Sequence, residues 1–547
     1  MSAFSHNPIF PGAVFLLCCL AVFRSCTGPG VESGPVTRGN PYLPLWEHIP
    51  DGEPYVFEDP DNPGRQRVYI YGSHDTEITG YCGRDQVVWS APVDSLWNWR
   101  FDGVIFSVSE DRDGAPLDAG GKGDILFAPD VCCVTDSCGA KTYYLYPNNQ
   151  SWGRNSMVCR SSRPDGPFEV CNWSPDNPGA TEGILGFDPA VFVDDDGRVY
   201  GYWGFMRSMA GELDTATMCT LKTGTQALED MVSNLSQPGV FRFFEASSIR
   251  KIKDKYVFIY SRWSADGDFG LPDTNYTLAY AYGDGPLGPW TYGGTIIDAR
   301  GRDADEHGET IVTATPSANT HGSICEIDGQ WYVFYHRQTG RTEYARQAMV
   351  APISVSVEEG PGGKVVISEG EYTSEGFALL GLNPLERHPA GIACWYIGPS
   401  AWKKHGDDPY SGSYIEAGYG TEDRYDAPYD IRNNINRVVN NNEDSIVGYK
   451  YFNFDITAGR KDLKLSLRLV PEGVDGTITV WADRPWAGGG TRLGSISLSA
   501  GLPCEPVEVS VKLPALAGLR GKHAVFLTFS SETPEKSICA LESLVFE

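Results

Sequence analysis

The stretch that decides the fold is Phe187-Asp-Pro-Ala-Val-Phe-Val-Asp-Asp-Asp-Gly-Arg-Val-Tyr-Gly-Tyr-Trp203. Two apolar runs flank the pair Asp196-Gly197, and Asp-Gly between such runs is a strong signal for a β-hairpin. Asp188 stands just before the first run and is followed by proline. The stretch therefore predicts the start of an antiparallel sheet, with a carboxylate at the entrance of its first strand.

The same order recurs in four other places: a small or acidic residue near the start, a strand, a turn and an aromatic strand. These copies are Gly52–Phe57 with Arg67–Ser73, Ala128–Val131 with Thr142–Tyr146, Phe244–Ile249 with Lys255–Ser261, and His321–Ile324 with Trp331–His336. Five copies spaced by about 50 to 65 residues are typical of a propeller with four-stranded blades. We expect a five-bladed β-propeller over residues 40–360, with the first strand of each blade lining the central channel.

The pattern changes after a connector at residues 361–389. Segments such as Leu463–Leu469, Thr477–Trp481 and Val507–Leu513 alternate apolar and polar residues with period two. This alternation predicts a β-sandwich over residues 390–547. The fold class is therefore all-β, a five-bladed propeller followed by a sandwich.

The amino-acid composition limits the classes of partner that the protein can bind. The chain has 547 residues, 41% of them hydrophobic, and a formal net charge of −27. So much apolar sequence excludes a largely disordered protein. The negative charge argues against nucleic acid or an anionic membrane as the main partner and leaves neutral ligands such as sugars.

Three acidic residues from different copies, Glu53, Asp188 and Glu245, would converge in the channel. Hydrolysis of a glycosidic bond needs a carboxylic acid to protonate the leaving oxygen. When the configuration inverts, it also needs a carboxylate to activate water on the opposite face. A third carboxylate can raise the pKa of the acid, because like charges resist joint ionisation. The trio therefore predicts a glycosidase site.

Residues 40–360 resemble glycoside hydrolase family 43. The motifs that carry the resemblance occur in the family's order: Asn40–Pro44, Gly52–Phe57, Ala128–Val131, Phe187–Gly197, Glu245–Ile249 and His321–Ser323. The resemblance implies an inverting glycosidase acting on plant-type polysaccharide or oligosaccharide, most often a β-xyloside or an α-L-arabinofuranoside. The alternatives are another specificity, such as galactan, and an inactive propeller that only binds sugar.

Carried over by position, the resemblance makes Glu53 the base, Asp188 the pKa modulator and Glu245 the acid. The family usually has Asp as the base, so Glu53 is a departure. Asp51, two residues earlier, would face the same side of a strand and is the alternative base.

The resemblance also assigns supporting residues. Arg346 would reach toward the sugar, and Asp130 would help to frame its site. His321 would lie near a water-bound ion, often calcium, and no other cofactor is implied. Trp89, Trp203 and Trp263 are candidates for a surface on which the sugar stacks, although aromatic residues also pack between blades.

The last 150 or so residues are similar to carbohydrate-binding module family 6. Trp395, Tyr396 and Trp486 are candidate sugar contacts, with packing against the propeller as the alternative. At the other end, Ala13–Phe23 is apolar and of signal-peptide length, so residues 1–26 predict export to the cell surface or beyond. Cys26 would be the site of any N-terminal anchoring to the membrane.

Overall fold

The structure, a computed structural model, describes residues 39–76, 80–271, 276–313, 319–340, 343–398, 412–417 and 435–547. In these ranges the chain forms β-strands and a few one-turn 3-10 helices, at Asp268–Gly270, Ala390–Ile392, Phe454–Thr457 and Pro514–Gly518. The predicted signal segment at residues 1–26 lies outside the described ranges. None of the described helices is long and apolar enough to cross a membrane.

The propeller has five antiparallel blades, each with its strands in chain order from the channel outward. Blade one has β1 (Glu53–Glu58), β2 (Gln66–Tyr71), β3 (Asp85–Pro92) and β4 (Arg100–Ser107); blade two has β5 (Asp130–Thr135), β6 (Lys141–Tyr146), β7 (Cys159–Ser161) and β8 (Glu169–Val170). Blade three has β9 (Ala190–Val193), β10 (Val199–Trp203), β11 (Met209–Leu213) and β12 (Leu228–Glu229); blade four has β13 (Phe243–Ile252), β14 (Lys255–Trp263), β15 (Tyr276–Gly283) and β16 (Thr291–Asp298). A hairpin of β17 (Arg302–Ala304) and β18 (Thr310–Val312) precedes blade five, which has β19 (Ser323–Ile327), β20 (Gln330–Gln338) and β21 (Arg346–Ile353).

The predicted aromatic strands fill the spaces between blades. Tyr69, Tyr71 and Tyr143 are buried between blades one and two, and Tyr202 and Phe258 are buried between blades three and four. Large planar side chains suit this position, because twisted blades diverge away from the channel and leave a wide gap to fill.

The segment before β1 closes the ring. Asn40 donates from Nδ2 to the Val350 carbonyl at 2.6 Å, and its Oδ1 accepts from the Val350 amide at 3.0 Å. Tyr42 and Leu43 then pack into a cluster that joins blade five to blade one. The segment from Asn40 to Asp51 is thereby held against blade five.

A hairpin of β22 (Val355–Val357) and β23 (Val365–Ile367) leads to the sandwich, whose two antiparallel sheets share one core. One sheet contains β24 (His388–Pro389), β26 (Tyr414–Ile415), β27 (Val438–Val439), β29 (Lys464–Pro471), β32 (Val507–Lys512) and β34 (Cys539–Phe546). The other contains β25 (Trp395–Ile397), β28 (Ile446–Asn453), β30 (Gly476–Ala482), β31 (Thr491–Leu498) and β33 (Lys522–Ser531). The prediction of an all-β propeller followed by a sandwich is confirmed.

The two domains are tightly joined. Arg337 of blade five is fully buried and donates to the carbonyls of Ala393 (2.7 Å) and Gly391 at the start of the sandwich. One apolar cluster runs from Tyr335 and Met349 of blade five into the sandwich core. The sandwich therefore supports the side of the propeller that carries blade five.

Candidate active site

A cavity of about 260 Å³ opens where the innermost strands begin. Every blade contributes a residue at the entrance of its first strand: Asp51, Ala128, Asp188, Glu245 and His321. Phe127, Phe187, Tyr81 and Arg346 complete much of the wall. The cavity is smaller than the roughly 300–1,000 Å³ of drug-sized ligand sites, and its size suits a single sugar unit.

Unusual backbone geometry aims the three carboxylates into the cavity. Asp51 and Asp188 have positive φ angles of 61° and 46°, and Ala246, next to Glu245, has a φ of 66°. A β-bulge in β13 also places one extra residue between Glu245 and Ser248 relative to the partner strand. Such conformations are costly for residues other than glycine and are concentrated at functional sites.

Asp51 is surrounded by positive charge and hydrogen-bond donors. Its carboxylate accepts from Arg346 Nη1 at 2.9 and 3.1 Å and from the Ser73 hydroxyl. Burial opposes the charge on Asp51, but the Arg346 guanidinium and the hydrogen bond from Ser73 outweigh it and lower the pKa of Asp51 below its ordinary value. Asp51 is therefore ionised at neutral pH.

The pKa of Glu245 is shifted in the opposite direction from that of Asp51. Burial and the negative charge of Asp51 raise the pKa of Glu245 to about 7, against the opposing effects of Tyr276 and Arg346. The Tyr276 hydroxyl donates to Glu245 Oε1 at 3.3 Å. Glu245 therefore keeps its proton through mildly acidic pH.

Asp188 is the third carboxyl group of the cavity, and its pKa is raised. Burial, Glu245 and Asp51 together raise the pKa of Asp188 well above its ordinary value. Asn148 Nδ2 donates to Asp188 Oδ1 at 2.6 Å, and His321 Nδ1 lies 3.9 Å from Oδ2. Asp188 and Glu245 thus form a coupled pair that resists losing its last proton.

Arg346 is fixed by a second carboxylate outside the cavity. Its Nε and Nη2 donate to the two oxygens of Asp75, each at 2.9 Å, and its backbone amide donates to Asp75 at 3.1 Å. The guanidinium also lies 4.8 Å from the centre of the Tyr81 ring. This paired geometry holds the charge of Arg346 against Asp51.

Comparison with known proteins identifies the family of the chain. Residues 61–360 match the model of glycosyl hydrolases family 43, which is more than half of the chain. The chain belongs to glycosyl hydrolase family 43. A xylosidase/arabinosidase of Thermoclostridium stercorarium is 32% identical over 514 residues, covering 90% of this chain and 96% of that protein. A beta-xylosidase of Xylanibacter ruminicola is 27% identical over 354 residues, covering 56% of this chain and 95% of that protein.

Among solved structures, the chain matches a glycoside hydrolase family 43 arabinoxylan arabinofuranohydrolase from Bacillus subtilis in complex with cellotetraose. It is 21% identical, covers 93% of this chain and 97% of its own, and has a TM-score of 0.43.

In this family 43 enzyme, Glu53 lies below the cavity and not in it. Glu53 is the first residue of β1, whereas Asp51 precedes the strand and lines the cavity, so Glu53 lies one layer deeper in the channel than Asp51. It is 1% exposed, and its Oε2 accepts from Arg250 Nη2 at 2.8 Å. The prediction that Glu53 lines the site is therefore wrong, and the alternative residue, Asp51, lines the cavity instead.

Asp130 occupies the same deeper layer. It accepts from the Tyr55 hydroxyl and from the Val191 amide, both at 2.7 Å, and is 1% exposed. Its predicted place beside the sugar is corrected as well. Ala128, two residues earlier, is the cavity residue of blade two.

The predicted tryptophan surface does not line the cavity. Trp89 is buried and donates to Glu47 at 2.8 Å, and Trp203 belongs to the apolar cluster between blades two and three. Trp263 contacts Phe244 and Tyr276. The aromatic wall is instead made by Tyr81, Phe127 and Phe187. Phe127 directly precedes Ala128, and Phe187 directly precedes Asp188. A phenylalanine at the same point of two repeats was therefore a sequence signal for this wall.

His321 lines the cavity as predicted, and its Nε2 is buried with no hydrogen-bond partner in the structure. Burial lowers the pKa of His321 to about 4, so the ring is neutral. Calcium takes about six to eight oxygen ligands, whereas the described residues contain no group of three or more His, Cys, Asp or Glu placed to hold a metal ion. The protein atoms around His321 therefore do not fit a calcium site built by the protein.

The candidate sugar contacts of the sandwich are packing residues. Trp395 is fully buried and Tyr396 is 4% exposed. Trp395 contacts Phe526 and Trp486 edge-on and packs with Ile311 of the β17–β18 hairpin. These rings join the sandwich to the propeller, which agrees with the alternative that they pack against the propeller.

Proposed function

We propose that the enzyme removes single β-xylosyl or α-L-arabinofuranosyl units from plant-type polysaccharide or oligosaccharide, with inversion of configuration. The observation that carries the proposal is the opposed protonation of two carboxyls in one small cavity. Asp51 has a lowered pKa, while that of Glu245 is raised to about 7. Such a separation assigns base and acid roles at one site.

Asp51 is the base in this proposal, in place of Glu53. Its carboxylate takes a proton from a water molecule as the water oxygen bonds to the anomeric carbon. Glu245 gives its proton to the glycosidic oxygen as the bond to that carbon breaks. Water enters on the face opposite the leaving group, so the released sugar has the inverted configuration.

Arg346 and Asp188 set the protonation states of Asp51 and Glu245. Arg346, held by Asp75, keeps Asp51 ionised and in place. Asp188 supplies a second carboxyl beside Glu245 that opposes loss of the proton from the acid. The curated relatives named xylosidase or arabinosidase support a pentose as the sugar removed.

The test is hydrolysis of aryl β-D-xylosides and aryl α-L-arabinofuranosides, with the first anomer released followed by proton NMR. We expect cleavage of at least one of the two, and the inverted anomer first. Release of the retained anomer would overturn the mechanism. Cleavage of galactosides alone would overturn the sugar, and binding without cleavage would indicate an inactive propeller.

A further inference from the structure

The cavity wall continues outward as a half-exposed aromatic surface. Phe187, which lines the cavity, contacts Phe205 with ring centres 5.0 Å apart, and Phe205 contacts Phe244 at 5.1 Å. Phe205 is 48% exposed and Met206 is 49% exposed. We call Phe205, Met206 and Phe244 the aromatic shelf.

The shelf is fixed to the strand that carries the acid. The Met206 amide donates to the Phe244 carbonyl at 2.5 Å, and Phe244 directly precedes Glu245. Phe244 also packs on Trp263 and Tyr276, with ring centres 5.0 and 5.2 Å away. Tyr276 also donates to Glu245, so the same tyrosine contacts both the shelf and the acid.

The position of the acid identifies the side of the substrate that meets the shelf. A general acid must lie beside the oxygen that departs, so the leaving group emerges on the side of Glu245. The cavity suits one sugar unit, and the next unit must therefore lie outside it. Sugar rings present apolar C–H faces, which pack on exposed aromatic surfaces.

We propose that the aromatic shelf is the binding site for the leaving-group sugar, with Phe205 as the residue that favours oligosaccharides over small glycosides. The proposal rests on the proposed function, since it takes Glu245 as the acid. Phe205 and Met206 are exposed next to each other and continue the cavity wall through Phe187, and contiguous exposed apolar residues of this kind mark ligand-binding grooves.

The test compares two substrates that carry the same sugar to be removed. One is an oligosaccharide (xylotriose, or arabinofuranosyl-xylotriose if arabinofuranose is the sugar removed), and the other is the corresponding methyl glycoside. Both have poor alkoxide leaving groups, but only the first has a sugar that reaches the shelf. In Phe205→Ala we expect kcat/KM for the oligosaccharide to fall about 5- to 10-fold, the scale of one aromatic contact, with the methyl glycoside changed less than about twofold.

Two further variants give controls. Phe205→Trp keeps an aromatic face and should retain the preference for the oligosaccharide. Trp97→Ala removes a ring that is 41% exposed just beyond β3, at the end of blade one away from the cavity, and should change neither substrate.

An equal loss on both substrates in Phe205→Ala, or no loss on either, would overturn the proposal. If the unaltered enzyme cleaves neither pentoside, the proposed function fails and this inference fails with it. Cleavage of both by the unaltered enzyme with no selective loss in Phe205→Ala would contradict the shelf alone.

Discussion

Two layers of charged residues lie one above the other in the channel, and they use the same residue types for opposite purposes. In the upper layer, Asp51, Asp188 and Glu245 face a cavity. In the lower layer, Glu53 and Asp130 are each about 1% exposed and gather around Arg250 and Tyr55. Arg250 lies between them, with its guanidinium 4.7 Å from the Tyr55 ring centre.

The difference shows that burial and partners, and not residue type, decide the role of a carboxyl group here. Burial raises the pKa of Glu53 to about 7, close to that of Glu245, although Arg250 opposes the shift. Glu53 nevertheless lacks contact with the cavity. Through Tyr55, Asp130, Arg250 and Glu53 the lower layer links the innermost strands of all five blades. The upper layer lines the cavity in which we propose that the chemistry takes place.

A large loss of turnover is expected from removing the acid, and its dependence on the leaving group distinguishes the acid from the base. Glu245→Gln removes the proton donor, so kcat for substrates with poor leaving groups should fall by about 10²- to 10⁴-fold. Aryl glycosides of very acidic phenols need little protonation and should lose much less. Steady-state kinetics on both kinds of substrate check this, and an equal loss on both would contradict the assignment.

A smaller effect is expected from Asp188→Asn, which removes a negative charge beside Glu245 and keeps the shape. In the unaltered enzyme the active form has Asp51 ionised and Glu245 protonated, so activity should decline as pH rises through about 7. With Asn at position 188 the last proton of the pair is lost more easily, and the alkaline limb of the kcat/KM profile should move to lower pH. A lower rate with an unmoved limb would indicate that Asp188 only positions the sugar.

The smallest effect on turnover is expected in the lower layer, where the change should appear as stability. Arg250→Met removes the only cation seen to pair with Glu53 in the described part of the chain, and breaking a buried pair in this way costs about 3–5 kcal/mol. The buried pKa of Glu53 lies above its ordinary value, so its charged form opposes folding, and stability is lost as pH rises above that ordinary value.

Urea unfolding of Arg250→Met at pH 5 and pH 8 should therefore show the larger deficit at pH 8. Below its melting range, kcat should stay within a few-fold of the unaltered enzyme. A deep loss of kcat in a folded Arg250→Met variant would place the lower layer in the chemistry.

The fold could be predicted from sequence, and so could Asp188 and Glu245 as cavity residues. For the third carboxylate the sequence left Glu53 and Asp51 open and favoured Glu53, whereas Asp51 lines the cavity. Asp-Gly turns and aromatic strands repeat five times, and Asp188 and Glu245 stand at comparable points in their repeats. Glu53 was misplaced because Pro54 follows it as Pro189 follows Asp188, whereas the structure aligns Asp51 with Asp188. The left-handed backbone at Asp51 and the bulge after Glu245 decide which residue of each repeat faces the cavity. Neither feature can be recognised in the sequence.

Residues contributed by loops were also beyond prediction. Asp75 and Tyr81 reach Arg346 only because the ring closes blade five against blade one. Their separation from Arg346 in the chain is about 270 residues, and no local pattern reports such a contact.

The most direct test of the two-layer account compares Asp51→Ala with Glu53→Gln, each with and without added azide. Asp51→Ala should lose about 10²- to 10⁴-fold in kcat, as expected for removal of a general base. Azide, which needs no base, should restore part of that rate and give a glycosyl azide of inverted configuration. Glu53→Gln weakens a buried pairing with Arg250 outside the cavity, so its main cost should be to stability, while kcat stays within about tenfold of the unaltered enzyme and does not respond to azide. The reverse outcome, with the Glu53 variant inactive and rescued by azide while Asp51→Ala remains active, would contradict the account.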